Sequence, residues 1–435
     1  LSSEAGLRIG TVDDIQKIHI QTFHLGESPR RICHSAKTGV YAVCTQKTII
    51  NDNTEETMDR ILFLEEGTMQ QIHMVQLEPF EMALSCMCCA LKLISDSEVT
   101  RQVIIVGTAF AMQEECIKGR LLVFELTSER RVSLMTQRDV KGSVYSLASL
   151  DGKVIAGIGS KVQLFKWIPH EDPLAPPELQ PETSYKGCIM ALYIKTHGDF
   201  VAVGDLMRSI VLLHYRSVDG SLEEVARDYN ANYMRAVEAL DDDYYLGCED
   251  LANIFIVRRQ ADAMSEEERS RMEVQAEMHL GDFINVVRHG RLNSQPCDPS
   301  DPLSFGGIGQ TSLLYGSVSG AVGAIISLPE PAFRFFSAVE RAVVLVVSGV
   351  GGLTHGDWRS FYNGRRHSPQ RNFVDGDMVE MFLDLNEADM MQAMKHLNDD
   401  LAGTVTPSSA AVGVTTGPVY FDEVIRRVEE MVRMH

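Results

Sequence analysis

Short runs of alternating apolar and polar residues recur along the chain in a fixed order. Residues 142–150 alternate, Asp151-Gly152 makes a turn, and residues 153–157 form an apolar run. Gly159-Ser160 turns the chain again and residues 161–167 alternate once more. Period-2 alternation marks a strand with one buried face, and Asp-Gly is hairpin chemistry. The same order recurs at 188–195, 200–204 and 209–215, and again at 234–240, 244–247 and 253–258. A further copy is 285–289, 312–316 and 321–328, with a long insert, and an earlier one is 104–107 with 119–125. The glycines that close the second strands are Gly107, Gly157, Gly204, Gly247 and Gly316, spaced by 50, 47, 43 and 69 residues. Units of about 40–50 residues built from short strands are the sequence trace of propeller blades. Each blade buries one face against the next, and glycine lets the chain pass close to the crowded axis. With the strands of 28–80, the count is six or seven blades.

Two segments interrupt the rhythm. Ser265 followed by Glu268 is a capping box, which predicts a helix running to about Met278 in an insert between blades. Residues 293–309 form a polar loop rich in Pro and Gly. Beyond about Pro329 the period changes. Met378, Val379, Phe382 and Leu383 fall at helical spacing, as do Met390, Met391, Met394 and Leu397, with Asn386 and Asp389 placed to cap the second helix. A last helix carries Tyr420, Val424, Ile425, Val428 and Val432 on one face, after a Thr/Ser/Gly/Pro linker at 403–417.

Composition narrows the function. The chain has 435 residues, 40 Lys+Arg against 60 Asp+Glu, and a net charge of -20. That balance argues against a surface built chiefly to coat phosphates. Nine cysteines, an odd number set mostly in apolar runs, are expected to be reduced core thiols of an intracellular protein. Cys86-Met-Cys-Cys89 has no second pair at zinc-ligand spacing, so it is read as a buried strand, and no cofactor or metal is expected. The longest uncharged apolar stretch, 342–353, is too short to span a bilayer. The first residue is Leu1, from which a fragment or processed chain is expected.

Catalytic constellations are missing from the sequence. Gly316-Ser-Val-Ser-Gly320 puts Val318 where a nucleophile elbow needs serine, and there is neither a phosphate-binding loop nor an H-E-x-x-H. Gly349-Val-Gly-Gly352 is half a dinucleotide fingerprint without its last glycine. A non-enzyme is expected. One segment runs against the overall charge: Trp358, Arg359, Arg365, Arg366 and Arg371 mix aromatic and basic groups, as nucleic-acid binders do. Docking of the helical region onto the acidic propeller is the favoured reading, because the net charge repels phosphate.

Several stretches carry a family resemblance. They are Glu27-Ser-Pro-Arg-Arg-Ile32, Lys141-Gly-Ser-Val-Tyr-Ser146, residues 188–213 with Gly204-Asp-Leu-Met-Arg-Ser209, and Asp241-Asp-Asp-Tyr-Tyr-Leu-Gly247. Trp358-Arg-Ser-Phe361, Phe373-Val-Asp-Gly-Asp377 and Val428-Glu-Glu-Met-Val-Arg-Met-His435 continue it. They resemble the third propeller and C-terminal domain of the large subunits of UV-damaged-DNA-binding proteins. The same fold family includes large subunits of the mRNA cleavage/polyadenylation factor and of a splicing factor. The resemblance implies an all-β seven-bladed β-propeller over 21–330, a small all-α domain over 331–435, and, in 1–20, the end of a preceding propeller. It implies a non-catalytic adaptor of nucleus and cytoplasm, acting in DNA repair and regulated proteolysis. Its partners would be the substrate receptors of a cullin-RING ubiquitin ligase and a damage-recognition subunit. The cullin would bind only an upstream propeller, and DNA mainly through the partner. Carried over motif by motif, the receptor-facing positions are Met190, Leu192, Tyr193, Arg208, Arg227, Tyr233, Asp250, Phe283, Asn285 and Val318. Tyr233 replaces the family's Trp, and Asp250 its Asn.

Overall fold

Six antiparallel sheets follow one another along the chain in the computed structural model. It describes residues 2–3, 6–7, 21–51, 54–93, 96–111, 117–127, 129–168, 177–292, 301, 303–305, 311–403 and 419–433. Blade 1 is Ser28–Ser35, Val40–Asn51, Thr54–Glu65 and Gln71–Gln76. Blade 2 is Glu81–Leu93, Asp96–Phe110, Gly119–Leu126 and Val132–Val140. Blade 3 is Val144–Leu150, Lys153–Ile158, Lys161–Ile168 and Glu178–Tyr185. Blade 4 is Ala191–His197, Phe200–Asp205, Ile210–Arg216 and Ser221–Arg227. Blade 5 is Met234–Ala239, Tyr244–Glu249, Asn253–Arg259 and Met272–His279. Blade 6 has three strands, Ile284–His289, Ser312–Ser317 and Val322–Ile326. From blade 1 through blade 6 the first strand packs against the first strand of the blade that follows it in the chain, so these six strands line the axis.

The seven-bladed expectation is therefore corrected: among the described residues the propeller has six blades. The repeat at 28–80 folds into one sheet, and the third strand of blade 6 runs into a helix rather than a fourth strand. The predicted helix at 265–278 is corrected too. Ser265 does cap, accepting a hydrogen bond from the Glu268 amide, but the helix α1 is a single turn, Glu266–Arg269. Met272, Val274, Ala276 and Met278 then alternate as the outer strand of blade 5, where pairing with Asn253–Arg259 outweighs local helical preference. At the N-terminus, Ser2–Ser3 pairs with Gly6–Leu7. The remainder of 1–20, most of the 293–309 loop and nearly all of the 403–417 linker lie outside the described residues.

Aromatic and aliphatic side chains fill the spaces between blades. Phe63 and Phe124 meet edge-on at 5.5 Å between blades 1 and 2. Trp167 and Phe165 sit between blades 2 and 3, and Tyr215 between blades 3 and 4. Tyr245 and Phe255 lie between blades 4 and 5. The repeated glycines have a steric role. A Cβ on Gly107 would come within 2.4 Å of Val144, and one on Gly157 within 2.5 Å of the Ala191 carbonyl oxygen, both on the next blade's first strand. Any side chain there would wedge two blades apart.

The C-terminal region is helical: α2 (Glu330–Val344), α3 (His355–Arg359), α4 (Gly376–Glu380), α5 (Glu387–Gly403) and α6 (Phe421–Val432). Phe335, Phe336, Val339 and Val343 of α2 bury with Val379, Phe382, Leu397, Val424 and Val428 in one core. Asn386 Oδ1 accepts from the Asp389 amide at 3.0 Å and caps α5. This core also takes in Ile326 and Leu328 at the end of blade 6, which joins the helices to the propeller.

Candidate interaction face

Antiparallel alternation brings two kinds of loop to the same side of the ring: those leading into a blade's first strand and those joining its second and third strands. Met190, Tyr233 and Phe283 lie in loops of the first kind, and Arg208, Asp250 and Val318 in the second. Arg227 ends the fourth strand of blade 4 on that side, while Leu192, Tyr193 and Asn285 stand at the starts of first strands. All ten positions taken from the resemblance thus share one side of blades 4 to 6.

Hydrogen bonds lace these loops together. The fully buried Asp205 carboxylate accepts from the amides of Ile189 (2.7 Å) and Met190 (3.3 Å), and the Leu206 amide donates to the Met190 carbonyl. The Asp250 amide donates to the Tyr233 carbonyl at 3.0 Å, and the Val318 amide to the Phe283 carbonyl at 2.9 Å. Arg235 is the hub: its Nε donates to Asp250 Oδ1 at 2.7 Å, and its guanidinium lies over the Phe283 ring at 5.1 Å. Burial raises the Tyr193 hydroxyl above the usual phenol range, and Arg235 and Arg31 partly oppose that. Arg227 donates to Glu224 at 2.9 Å and to the Tyr185 hydroxyl at 3.0 Å, which holds it half-buried. Arg208 is exposed and reaches the Gly187 carbonyl at 3.2 Å. Between these two arginines lies an open hollow of about 230 Å³, lined by Met207, Asp228, Tyr229 and Asn230. Tyr233 (38% exposed) and Val318 (65%) face solvent, as do Ile189, Tyr229 and Leu251 on the same side.

Arg235 also carries a signal in the sequence. In every blade the first strand slips register near its start, and one residue is left over: Arg30, Leu84, Tyr145, Leu192, Arg235 and Asn285. A bulge re-aims its extra residue, and each of these six keeps some exposure. Aligned on the strand-closing glycines Gly157, Gly204 and Gly247, Arg235 is the blade-5 equivalent of Tyr145 and Leu192.

The basic-aromatic segment docks on the propeller. Arg359 is buried, with Nε to Asp375 at 2.5 Å and Nη1 to the Leu280 carbonyl at 2.6 Å. Arg366 pairs with the buried Glu277 at 2.7 Å and covers the Phe361 ring at 4.3 Å. Arg371 exchanges backbone hydrogen bonds with Glu277, and its guanidinium donates to the Val274 carbonyl. Trp358 sits edge-on against His279 at 5.1 Å. Four of the five residues thus hold the helical region to blade 5, although Trp358 and Arg371, like Arg365, keep an exposed side.

Residues 59–384 match the family model described as the CPSF A subunit region. Over its whole length the chain is 40% identical to DNA damage-binding protein 1a of Arabidopsis thaliana and to DNA damage-binding protein 1 of Solanum lycopersicum and of Oryza sativa subsp. japonica. It spans 37% of the length of each of these relatives. With a repeat of blades, a helical cap and a family match over most of its residues, the chain belongs to the CPSF A subunit region family.

Proposed function

We propose that this chain is the receptor-holding part of a non-catalytic adaptor that acts in the response to DNA damage. The observation that carries the reading is the set of loops on one side of blades 4 to 6. There Tyr233, Val318, Leu251 and Ile189 stand exposed around the Arg235–Asp250 pair and the hollow beside Arg208. Aromatic and Arg side chains set among apolar groups are the composition of interface hot spots. Relatives named for DNA damage binding support the biological setting. In the finer version, the partners are substrate receptors of a cullin-RING ubiquitin ligase and a damage-recognition subunit. The cullin is held by another part of the protein, DNA is met through the partner, and the work is done in nucleus and cytoplasm.

Tyr233→Ala combined with Val318→Asp in the intact protein tests the face. Both residues are exposed, so the fold is expected to survive. Loss of receptor binding by about 10- to 100-fold is the expected result. Unchanged capture of receptors would remove this face from the reading. The family description favours one alternative, a scaffold of RNA-processing assemblies. Co-purification with cleavage or splicing subunits in place of a cullin would select it.

A further inference from the structure

Three thiols meet between blades 1 and 2. Cys33 lies in the first strand of blade 1, Cys44 in its second strand, and Cys86 in the first strand of blade 2. The Cys33 and Cys86 sulfurs are 3.0 Å apart, about 1 Å more than a covalent S–S bond of about 2.05 Å. The strands that carry them are adjacent at the axis, and Arg31 Nε donates to the Leu84 carbonyl at 2.7 Å one step along from the sulfurs. Cys33 and Cys86 are half-buried, whereas Cys44 is fully buried.

We propose that Cys33 and Cys86 are a reversible redox pair, whose oxidation forms a disulfide that staples the first strands of blades 1 and 2. The oxidant is a hydroperoxide. It transfers one oxygen to the Cys33 sulfur, giving a sulfenic acid and releasing an alcohol or water. The Cys86 sulfur then attacks the Cys33 sulfur, the S–O bond breaks, and the hydroxyl leaves as water with the Cys86 proton. A dithiol reverses the reaction by exchange. Hydrogen bonds with Cys33 and Cys44, together with burial, hold the Cys86 thiol well above the usual range. Cys86 stands at contact distance as the resolving sulfur. A metal fits less well: three thiolates about 2.3 Å from one ion would sit about 4 Å from one another, farther apart than this pair.

The link would join residues 53 apart in sequence and tie blade 1 to the ring at its axis. The test treats the reduced intact protein with a few equivalents of hydrogen peroxide, blocks remaining thiols, and maps the non-reduced digest by mass spectrometry. The expected product is a Cys33–Cys86 cross-linked peptide lighter by two hydrogens. It should disappear with dithiothreitol, be absent from Cys33→Ser, and be retained in Cys44→Ser. Before-and-after alkylation of the unmutated protein gives the same answer should a variant fail to fold. The proposal is overturned if Cys33 and Cys86 remain alkylatable, if either acquires two oxygens without cross-linking, if Cys44 replaces one of them in the link, or if the reduced trio takes up stoichiometric zinc.

Discussion

Asp375→Asn should loosen the helical region from the propeller more than removal of its partner Arg359. Asp375 is buried between Arg359 Nε (2.5 Å) and His355 Nε2 (2.8 Å), and its own amide donates to Glu340 at 3.3 Å. Burial alone would raise its carboxyl. The His355 hydrogen bond and the Arg359 charge outweigh that and hold it below the usual range. Asparagine keeps the shape and leaves the Arg359 charge buried, with only the carbonyls of His279 and Leu280 and the more distant Asp377 to answer it. Breaking a buried pair from one side costs about 3–5 kcal/mol. At 1.36 kcal/mol per power of ten, that is roughly two to four powers of ten in the local opening equilibrium. Hydrogen exchange of amides in α2 and in the outer strand of blade 5 reads that equilibrium directly. Arg359→Met also gives up the His279 and Leu280 carbonyls, but it should cost less because it leaves no buried cation and Asp375 keeps His355. Asp375→Leu combined with Arg359→Met should recover much of the loss, since it removes both charges. Equal effects of the two single changes, or a double variant that is merely additive, would refute the account. The depressed carboxyl also fixes the pH dependence. Its contribution is present above the unfolded value of 3.8 and is lost as pH falls through the lower folded value.

Gly157→Ala should destabilise by about 1–3 kcal/mol through overpacking against the Ala191 carbonyl, seen as a lower thermal midpoint. Asn386→Ala removes the α5 cap and should cost about 1 kcal/mol, measured by denaturant unfolding. Burial and the nearby Asp205 charge push the Cys188 thiol up to about 12, so at pH 8 its thiolate fraction is roughly three powers of ten below that of an ordinary thiol. Alkylation timed by mass spectrometry in the folded protein should find it correspondingly slow, and fast alkylation would contradict its placement beside Asp205. Burial raises the Asp228 and Glu249 carboxyls, and Arg366 opposes this in both. A buried acid of this kind contributes stability below its unfolded value that is lost as pH rises through the folded one. Arg366→Met should therefore steepen the fall in stability between acid and neutral pH, read from melting curves.

What could be read from the sequence followed the strength of the periodicity. The copies at 142–167, 188–215 and 234–258 became blades 3, 4 and 5 because turn, apolar run and closing glycine coincide in each. The outer strands were harder to see. Gln180, Glu182 and Ser184 in Glu178–Tyr185, or Glu223 and Glu224 in Ser221–Arg227, give them a polar composition, since an outer strand has little to bury. For the same reason 272–278 passed for helix: Met272, Val274, Ala276 and Met278 carry the right alternation, but the capping signal at Ser265 precedes them and residue spacing alone does not end a helix. The repeat in this chain allowed six or seven blades and the resemblance selected seven, which is where the expectation failed.

The candidate face owes its side chains to a single local defect repeated in each blade. A strand that kept its pleat would send alternate residues into the two blade interfaces and leave nothing at the rim but loop. The extra residue near the start of each first strand interrupts that alternation once per blade, opposite the closing glycine in blades 2, 3, 4 and 6. The extra residue keeps some exposure in every blade. Tyr145, Leu192, Arg235 and Asn285 differ in chemistry, while Val144, Ala191, Met234 and Ile284 just before them are buried and apolar. Under the proposed function, partner choice would vary at the bulge, as in Arg235 with its Asp250 and Phe283 contacts, without disturbing the blade-to-blade core beneath. Exchanging Arg235 for Leu should therefore alter binding at this face far more than it alters the melting temperature, because what it loses is one half-exposed ion pair and a ring contact rather than interior packing.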